Sequence, residues 1–421
     1  MTAKMTANDS RTPSGPRIAG LALTALIAIF PTVVLLHNRA AVLPVTAIGL
    51  IGLWQAIRAR DFAIGLPRPV IVALVLGLLW AAVSVVWAFD ATLPLPRTLQ
   101  LLGLAALGAL AIRAIRGIPA EKVLALALAG VAVGCLVALG EIATGYHLMG
   151  LLHRTNPALP LPDQFSGHFK AGTTVVALWG GVAMWSGIGR RLWLRSLVVF
   201  ALVAALAKVS GSFAALLAIA AGTAAGLAAL LLPRLIPALV GLVAVAAVLA
   251  APVAVFMPDT LYLATRFPHL PNSSLHRTMI WHFAATRAME RPLLGWGMDA
   301  SRVVPGGEED EIVYLHGAPG EPPHPQGQQR MPLHPHNFAL QVWLELGAVG
   351  AALTAALLGA VAAAAAGRRP GAVRAGAVAT FVGAVAVAAV GYGAWQAWWV
   401  ASLWGTTALA ASLLARKGDA E

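Results

Sequence analysis

The chain has 421 residues, a formal net charge of +12 and a mean hydropathy of +0.79, with 59% apolar and only 11% charged residues. A soluble domain carries nearer a quarter charged residues, so the composition is that of a polytopic membrane protein. The basic excess would suit nucleic acid, but Lys and Arg sit mostly in short connections between apolar runs, where topology accounts for them.

The first apolar run follows Lys4, Arg11 and Arg17, and at about 19 residues it is long for a signal-peptide core, so it reads as an uncleaved first span. In chain order, hydropathy predicts spans at 18–36, 40–57, 70–88, 98–115, 123–142, 172–188, 192–208, 212–232, 235–256, 336–360, 373–392 and 394–415. The expected fold is an all-α polytopic membrane protein of about twelve helices, forming one integral membrane domain over 1–421 without a soluble domain or an internal repeat. Positive-inside alternation places Arg58/Arg60/Arg68, Arg113/Arg116/Lys122, Arg190/Arg191/Arg195, Arg234, Arg368/Arg369/Arg374 and both termini on the cytoplasmic side. The outer face then receives Phe89–Pro96 and two loops, 143–171 and 257–335. Cys135 is the sole cysteine and lies inside an apolar run, which excludes a disulfide framework.

The long loop holds eight acidic and six arginine residues, with a Glu308-Glu309-Asp310-Glu311 run, and lacks the basic excess of a cytoplasmic connection. Within it, 273–290 reads as an amphipathic helix with Ser as its N-cap, stopped by Arg291-Pro292-Leu293-Leu294-Gly295-Trp296-Gly297. The Pro/Gly-rich stretch 304–333 reads as a mobile lid or acceptor-binding loop. Next comes His334-Pro335-His336-Asn337, entering an apolar span. Pro335 suits a first helical turn, so the helix is expected from His336, with Asn337, Gln341 and Glu345 four apart on one face. A carboxylate at that depth must face protein or water. Trp395, Trp398, Trp399 and Trp404 read as an interfacial belt and packing.

Outer-face cations and histidines, namely His334, His336, Arg266, His276, Arg277, Lys208, His168 and Lys170, occur without a compact carboxylate set or an Asp-x-Asp pair. That pattern suggests diphosphate handling without a metal or other cofactor: Arg and Lys neutralise the leaving diphosphate, and a neutral imidazole takes a hydroxyl proton. At a helix start the dipole would keep His336 in the unprotonated form. His334 reads as structural, and Glu345 as a buried hydrogen-bonding group tying spans together.

His336-Asn337 followed by Glu345-x-Gly347-x-x-Gly350 resembles the signature of the O-antigen ligase and polymerase superfamily of bacterial inner-membrane enzymes. Ser274-Leu275-His276-Arg277 with Trp281 and the Pro292–Gly297 turn resembles its arginine-bearing segment, and Gly167-His168-Phe169-Lys170 its Gly-x-Phe element. One departure is at 208–213, where many members carry Ser-Arg and this chain reads Lys-Val-Ser-Gly-Ser-Phe. The resemblance implies glycan transfer at the periplasmic face from an undecaprenyl-diphosphate-linked donor to a hydroxyl, lipid A–core in a ligase, with membrane lipids around it. It implies His336 as base and Arg277 as principal diphosphate ligand, with Lys208, Arg266 and Lys170 in the same charge cluster and His334, Asn337, Gln341 and Glu345 in support. A polymerase or a protein O-oligosaccharyltransferase shares the signature, and a twelve-span solute transporter with an intramembrane Glu345 remains a reading of another class.

Overall fold

The computed structural model describes residues 14–153, 155, 160–318, 320–367 and 371–413. The N-terminal tail with Lys4 and Arg11, the Arg368-Arg369 pair and the C-terminal tail lie outside the described residues. The protein is an all-α polytopic bundle. Apolar runs bounded by Pro, Gly and basic residues form α1 (Ser14–Leu36), α2 (Val42–Ala59), α3 (Arg68–Val83), α4 (Pro94–Arg116) and α5 (Ala120–Thr144). A short α6 (His147–Leu152) precedes α7 (Leu161–Gly189), α8 (Trp193–Val209), α9 (Phe213–Leu231) and α10 (Leu235–Leu249). The long connection folds as α11 (Thr260–Arg266), α12 (Asn272–Glu290) and an antiparallel pair, β1 (Asp310–Leu315) and β2 (His324–Gln329). The chain returns through α13 (Phe338–Ala366), α14 (Ala372–Val390) and α15 (Ala397–Leu413).

Twelve of these helices fall on the twelve expected spans. Among the described residues nine helical segments are long and apolar enough to cross a membrane. The helices at the other three positions, α8, α10 and α15, have 17, 15 and 17 residues. α7 is the central helix, with 89% of its most apolar window buried against 22% for α3. It begins well inside the stretch expected as the 143–171 loop, because Leu161 to Phe169 has core to pack against: Phe165 and Phe169 are buried beside Tyr146. Below them Trp179 stacks on Phe30 with ring centroids 4.2 Å apart.

Three expectations for the long connection change. Helix α12 starts at Asn272 with Pro271, whose side chain has no acceptor, in the N-cap position, and Asn272 ties the helix start to the 316 backbone, accepting from His316 N–H at 2.8 Å and donating to its carbonyl at 3.0 Å. The stretch expected as a mobile lid is instead a paired ribbon. Alternation of exposed and buried residues puts Val313 and Leu315 into an apolar cluster with Leu275, Met279 and Leu344. Arg330 pairs with Glu309 and Glu311, and Tyr314 N–H donates to Thr260 Oγ1 at 3.1 Å.

The third change concerns α13, which begins at Phe338 and not at His336. Asn337 is the N-cap, its side chain accepting from Ala339 and Leu340 N–H. The helix is then broken at Gly347 (φ 63°, ψ −164°). The Leu293–Gly297 turn is inserted against the break: Trp296 N–H donates to Leu344 O at 2.9 Å and Gly297 N–H to Glu345 O at 2.8 Å. Trp80 Nε1–H takes Leu346 O at 3.0 Å, and Ala348 N–H donates to Pro292 O at 2.8 Å. The polar backbone freed by the break is therefore re-satisfied by protein, as a membrane span requires.

A Cβ on Gly347 would lie 2.3 Å from Leu293 O, and its φ/ψ is accessible to glycine alone. Gly347→Ala is thus expected to destabilise the protein by at least ~1–3 kcal/mol, the range for such backbone strain, seen as a lower thermal midpoint in detergent. An unchanged midpoint would mean that the break is not required for folding.

Candidate active site

The site is assembled where the start of α13, the loop between α14 and α15, helix α12 and the α8–α9 turn meet. His336 sits in the left-handed region (φ 53°), and Trp281 Nε1–H on α12 anchors the loop before it through the Pro335 carbonyl at 2.8 Å. Its Nδ1 lies 2.6 Å from Gly391 O. A carbonyl only accepts, so Nδ1 carries the proton and Nε2 carries the lone pair, the tautomer a base needs.

Burial pushes His336 below its ordinary value of 6.5, and the positive charges of Arg277 and His276 act in the same direction, against the Gly391 hydrogen bond, which raises it. The expected neutral imidazole is therefore present for a different reason: desolvation, and not a helix dipole, keeps it so. His334 packs on His336 with ring centroids 4.3 Å apart, and its Nδ1 accepts from His336 N–H at 3.2 Å. His334 Nε2 is 3.2 Å from the Gln396 amide. With that amide turned so that Oε1, otherwise without a partner, faces the ring, Nε2–H donates to it.

Burial, reinforced by His336, Arg302 and Arg277, pushes His334 down to about 3. In the unfolded chain the same ring binds a proton near 6.5, so between those values the unfolded state holds more protons and stability must fall as pH falls. The contribution is complete above pH 6.5 and lost progressively toward pH 3. The free energy of unfolding should decline by up to ~1.4 kcal/mol per pH unit from this group as pH falls below 6.5, seen as falling thermal midpoints, and His334→Asn should flatten that slope. An identical slope in the variant would remove His334 as its source.

Arg277, on the face of α12 turned toward the loop, is half-buried. Burial disfavours its charged form, yet among the described residues it makes no ion pair or hydrogen bond. A partly desolvated guanidinium without a counter-charge is suited to an anion that arrives from outside. Tyr392 is its electrostatic neighbour and links it to the next element. The Tyr392 hydroxyl is 3.0 Å from Thr174 Oγ1, which itself donates to Lys170 O and lies 3.2 Å from Ser212 Oγ, the N-cap of α9. Ser212 also donates to Lys170 O at 2.8 Å, and the exposed Lys170 side chain lies over Gly211.

The structure thus brings together Lys170 and the 208–212 turn, and joins them to Arg277 through Tyr392. Lys208 is exposed at the end of α8, and no side-chain contact ties it to the group among the described residues. Arg266 is exposed at the end of α11, which packs against α12 and β1. His168 turns elsewhere, with Nδ1 at 2.9 Å from Asn38 Oδ1 and its ring beside His37 and His153.

Support comes from Glu345, which is fully buried. Its carboxylate accepts from Asp299 N–H and Ser301 Oγ at 2.5 Å, Trp395 Nε1 at 2.6 Å and Gln341 Nε2 at 2.9 Å. Gln341 Oε1 in turn accepts from Ala394 N–H at 2.8 Å. These bonds fix residues 394 and 395, and so the loop whose Gly391 carbonyl sets the His336 tautomer. Asp299, in the left-handed region, is held by Arg97 at 2.7 Å and Arg302 at 3.0 Å.

Sequence reading missed Gly391, Tyr392, Asp299 and Ser301, and assigned Trp395 to an interfacial belt. Trp395 points inward to Glu345, and Trp398 and Trp399 pack around Tyr392. The only local sign was a tyrosine between two glycines at the entry to a span.

Residues 196–355 match the family model described as O-antigen ligase. A Rickettsia prowazekii protein provisionally named a polysaccharide ligase is 30% identical over 209 residues, 50% of this chain and 49% of that protein. One from Rickettsia conorii is 27% identical over 207 residues, 49% and 48% of the two chains, and one from Rickettsia typhi 32% over 141 residues, 34% and 31%. The chain spans about half the length, or less, of these curated relatives. No solved structure matches. The stretch that carries Arg277, the Leu293–Gly297 turn and His336 is thus the part of this chain that is similar to the O-antigen ligase family.

Proposed function

We propose that this protein is an O-antigen ligase of the bacterial inner membrane, transferring a glycan from undecaprenyl diphosphate to a sugar hydroxyl of lipid A–core at the periplasmic face. The observation that carries this reading is an unpaired, half-buried Arg277 beside a His336 whose Gly391 bond leaves Nε2 unprotonated. In the step proposed, His336 Nε2 removes the acceptor hydroxyl proton as the oxygen attacks the anomeric carbon. The bond from that carbon to the diphosphate oxygen breaks, its electron pair leaving with the diphosphate, and the sugar inverts. Arg277 binds that diphosphate, with Lys170, Lys208 and Arg266 as weaker contributors of positive charge. Tyr392, absent from the sequence reading, is the electrostatic neighbour of Arg277 and is bonded through Thr174 toward the α9 N-terminus.

The transport alternative rested on Glu345, and that carboxylate is engaged by four protein donors. Purified protein given an undecaprenyl-diphosphate-linked glycan and lipid A–core tests the reading by gel separation. Glycan on lipid A–core, dependent on His336, supports a ligase. Longer donor-linked glycan with bare core makes it a polymerase, and no transfer with several donors removes the reading.

Among the described residues no group of three or more His, Cys, Asp or Glu is arranged to hold a metal ion. Transfer is expected to proceed at full rate with chelator present. Loss of activity restored by Mg²⁺ or Mn²⁺ would overturn the proposed chemistry.

A further inference from the structure

Arg97 lies in the first turn of α4, and its side chain is mostly buried. All three nitrogens of its guanidinium are engaged. Nε and Nη2 donate to Asp299 Oδ2 at 3.0 and 2.7 Å, and Nη1 donates to Gln100 Oε1 at 2.5 Å and reaches the Trp395 carbonyl at 3.5 Å. One side chain thereby joins α4, the 298–302 turn and the α14–α15 loop. Its counter-charge is Asp299, so unlike Arg277 it is not an unpaired cation suited to an arriving anion.

These contacts bear on His336 through the loop that presents the Gly391 carbonyl. That loop is gripped at Trp395 from two sides: the indole Nε1–H donates to Glu345 at 2.6 Å, and the backbone carbonyl faces Arg97. Glu345 accepts in turn from Asp299 N–H. Asp299 has a left-handed backbone (φ 65°), which costs a residue with a Cβ free energy, and the two guanidiniums on its carboxylate hold it there. Between Trp395 and Gly391 the loop has little slack. Ala394 N–H is held by Gln341 Oε1 at 2.8 Å, and a Cβ on Gly393 would lie 2.8 Å from the His334 ring. A shift at Trp395 is therefore passed along to the Gly391 oxygen, 2.6 Å from His336 Nδ1.

We infer that Arg97 is a positioning residue for the base: by fixing Asp299 and the Trp395 carbonyl it sets the place of the Gly391 oxygen that keeps the His336 proton on Nδ1. The inference rests on the glycan-transfer reading for what His336 does, and not for how its ring is held. Two effects follow when that oxygen withdraws. The neutral ring is free to carry its proton on Nε2, a form that takes no proton from a hydroxyl at that atom. The support that the Gly391 bond gives the imidazolium is also lost, so the ring protonates at a lower pH than in the wild type.

Arg97→Lys tests this, because it keeps a positive charge against Asp299 while a single ammonium cannot span Asp299, Gln100 and the Trp395 carbonyl as the planar fork does. In purified full-length protein labelled with ¹⁵N-histidine, the His336 signals are assigned by their loss in His336→Gln. They should show the Nδ1–H tautomer in the wild type and a mixture of the two neutral tautomers in Arg97→Lys. With glycan donor and acceptor, Arg97→Lys should lower kcat by up to about 100-fold, the cost of a ~1 Å misplacement. It should leave the donor KM near the wild-type value and move the acid limb of kcat/KM to lower pH. Placed in the His336→Ala background it should cost nothing further, because its effect passes through that ring. An unchanged tautomer in Arg97→Lys, or losses that multiply in the double variant, would overturn the inference and make Arg97 a structural residue. Should Arg97→Lys fail to fold, Asp299→Asn, which keeps the backbone N–H toward Glu345 and loses the ion pair, carries the same expectations. The tautomer is read without turnover, so the expected spectra together with no transfer from any donor would leave the positioning role standing and remove the enzymatic reading alone.

Discussion

His336→Ala is expected to lose ~10²–10⁴-fold in transfer rate, the usual contribution of a general base, with the protein still inserted and folded. The side chain makes one hydrogen bond, to Gly391 O, and its lone pair at Nε2 has no protein partner among the described residues, so truncation removes a proton acceptor and little packing. The pH profile offers an independent check. The base acts when neutral, and its folded pKa lies below 6.5, so kcat/KM should be level through pH 6.5 and fall only at lower pH as the ring protonates. Near-normal activity of the variant, or an acid limb that survives in it, would assign the base elsewhere.

Arg277→Lys is expected to weaken donor use by about 10-fold or more, the worth of a charge-assisted hydrogen bond of ~1.5–3 kcal/mol, and Arg277→Ala by more. An ammonium keeps the charge but offers no planar fork to two phosphate oxygens. Because Arg277 has no protein counter-charge, its removal strands no buried partner. The thermal midpoint of Arg277→Ala should therefore hold or rise, which separates a ligand-binding role from a structural one. Wild-type donor affinity and rate in both variants would take Arg277 out of the site; a fall in midpoint with proportional loss of activity would make it structural.

The spans were legible because hydropathy integrates over some twenty residues: a helix lies at each of the twelve expected positions, nine of them long and apolar enough to cross a membrane among the described residues, although α7 begins eleven residues early and α10 ends seven early. His336 and Arg277 were legible as residue types beside a membrane entry. What governs them was not. The neutral state of His336 was ascribed to a helix start, yet the helix begins two residues later, and the ring is set by a carbonyl 55 positions away in sequence. The break in α13 leaves no mark on hydropathy, since 29 apolar-rich residues read the same with or without it. Only the positive φ of Gly347 and the approach of Leu293 reveal it, and both depend on packing between distant segments. The ribbon at 310–329 was hidden by its Pro and Gly content: burial alternates only along the six residues of β1, and β2 is exposed over most of its length. Lys208, Lys170 and Arg266 looked alike as outer-face cations, and only the hydrogen bonds of Thr174 and Ser212 to the Lys170 carbonyl distinguish one of them.

The inserted turn at Leu293–Gly297 has a consequence for any attempt to reduce this protein to its membrane helices. Excising 257–335 and joining α10 to α13 with a short linker would take away the amides that cover the Leu344 and Glu345 carbonyls. Two bare acceptors inside hydrocarbon cost several kcal/mol each, so the shortened chain would be left with a defect in that span for as long as the break at Gly347 persists. The Leu293–Gly297 turn is, in this sense, part of the wall of α13 itself.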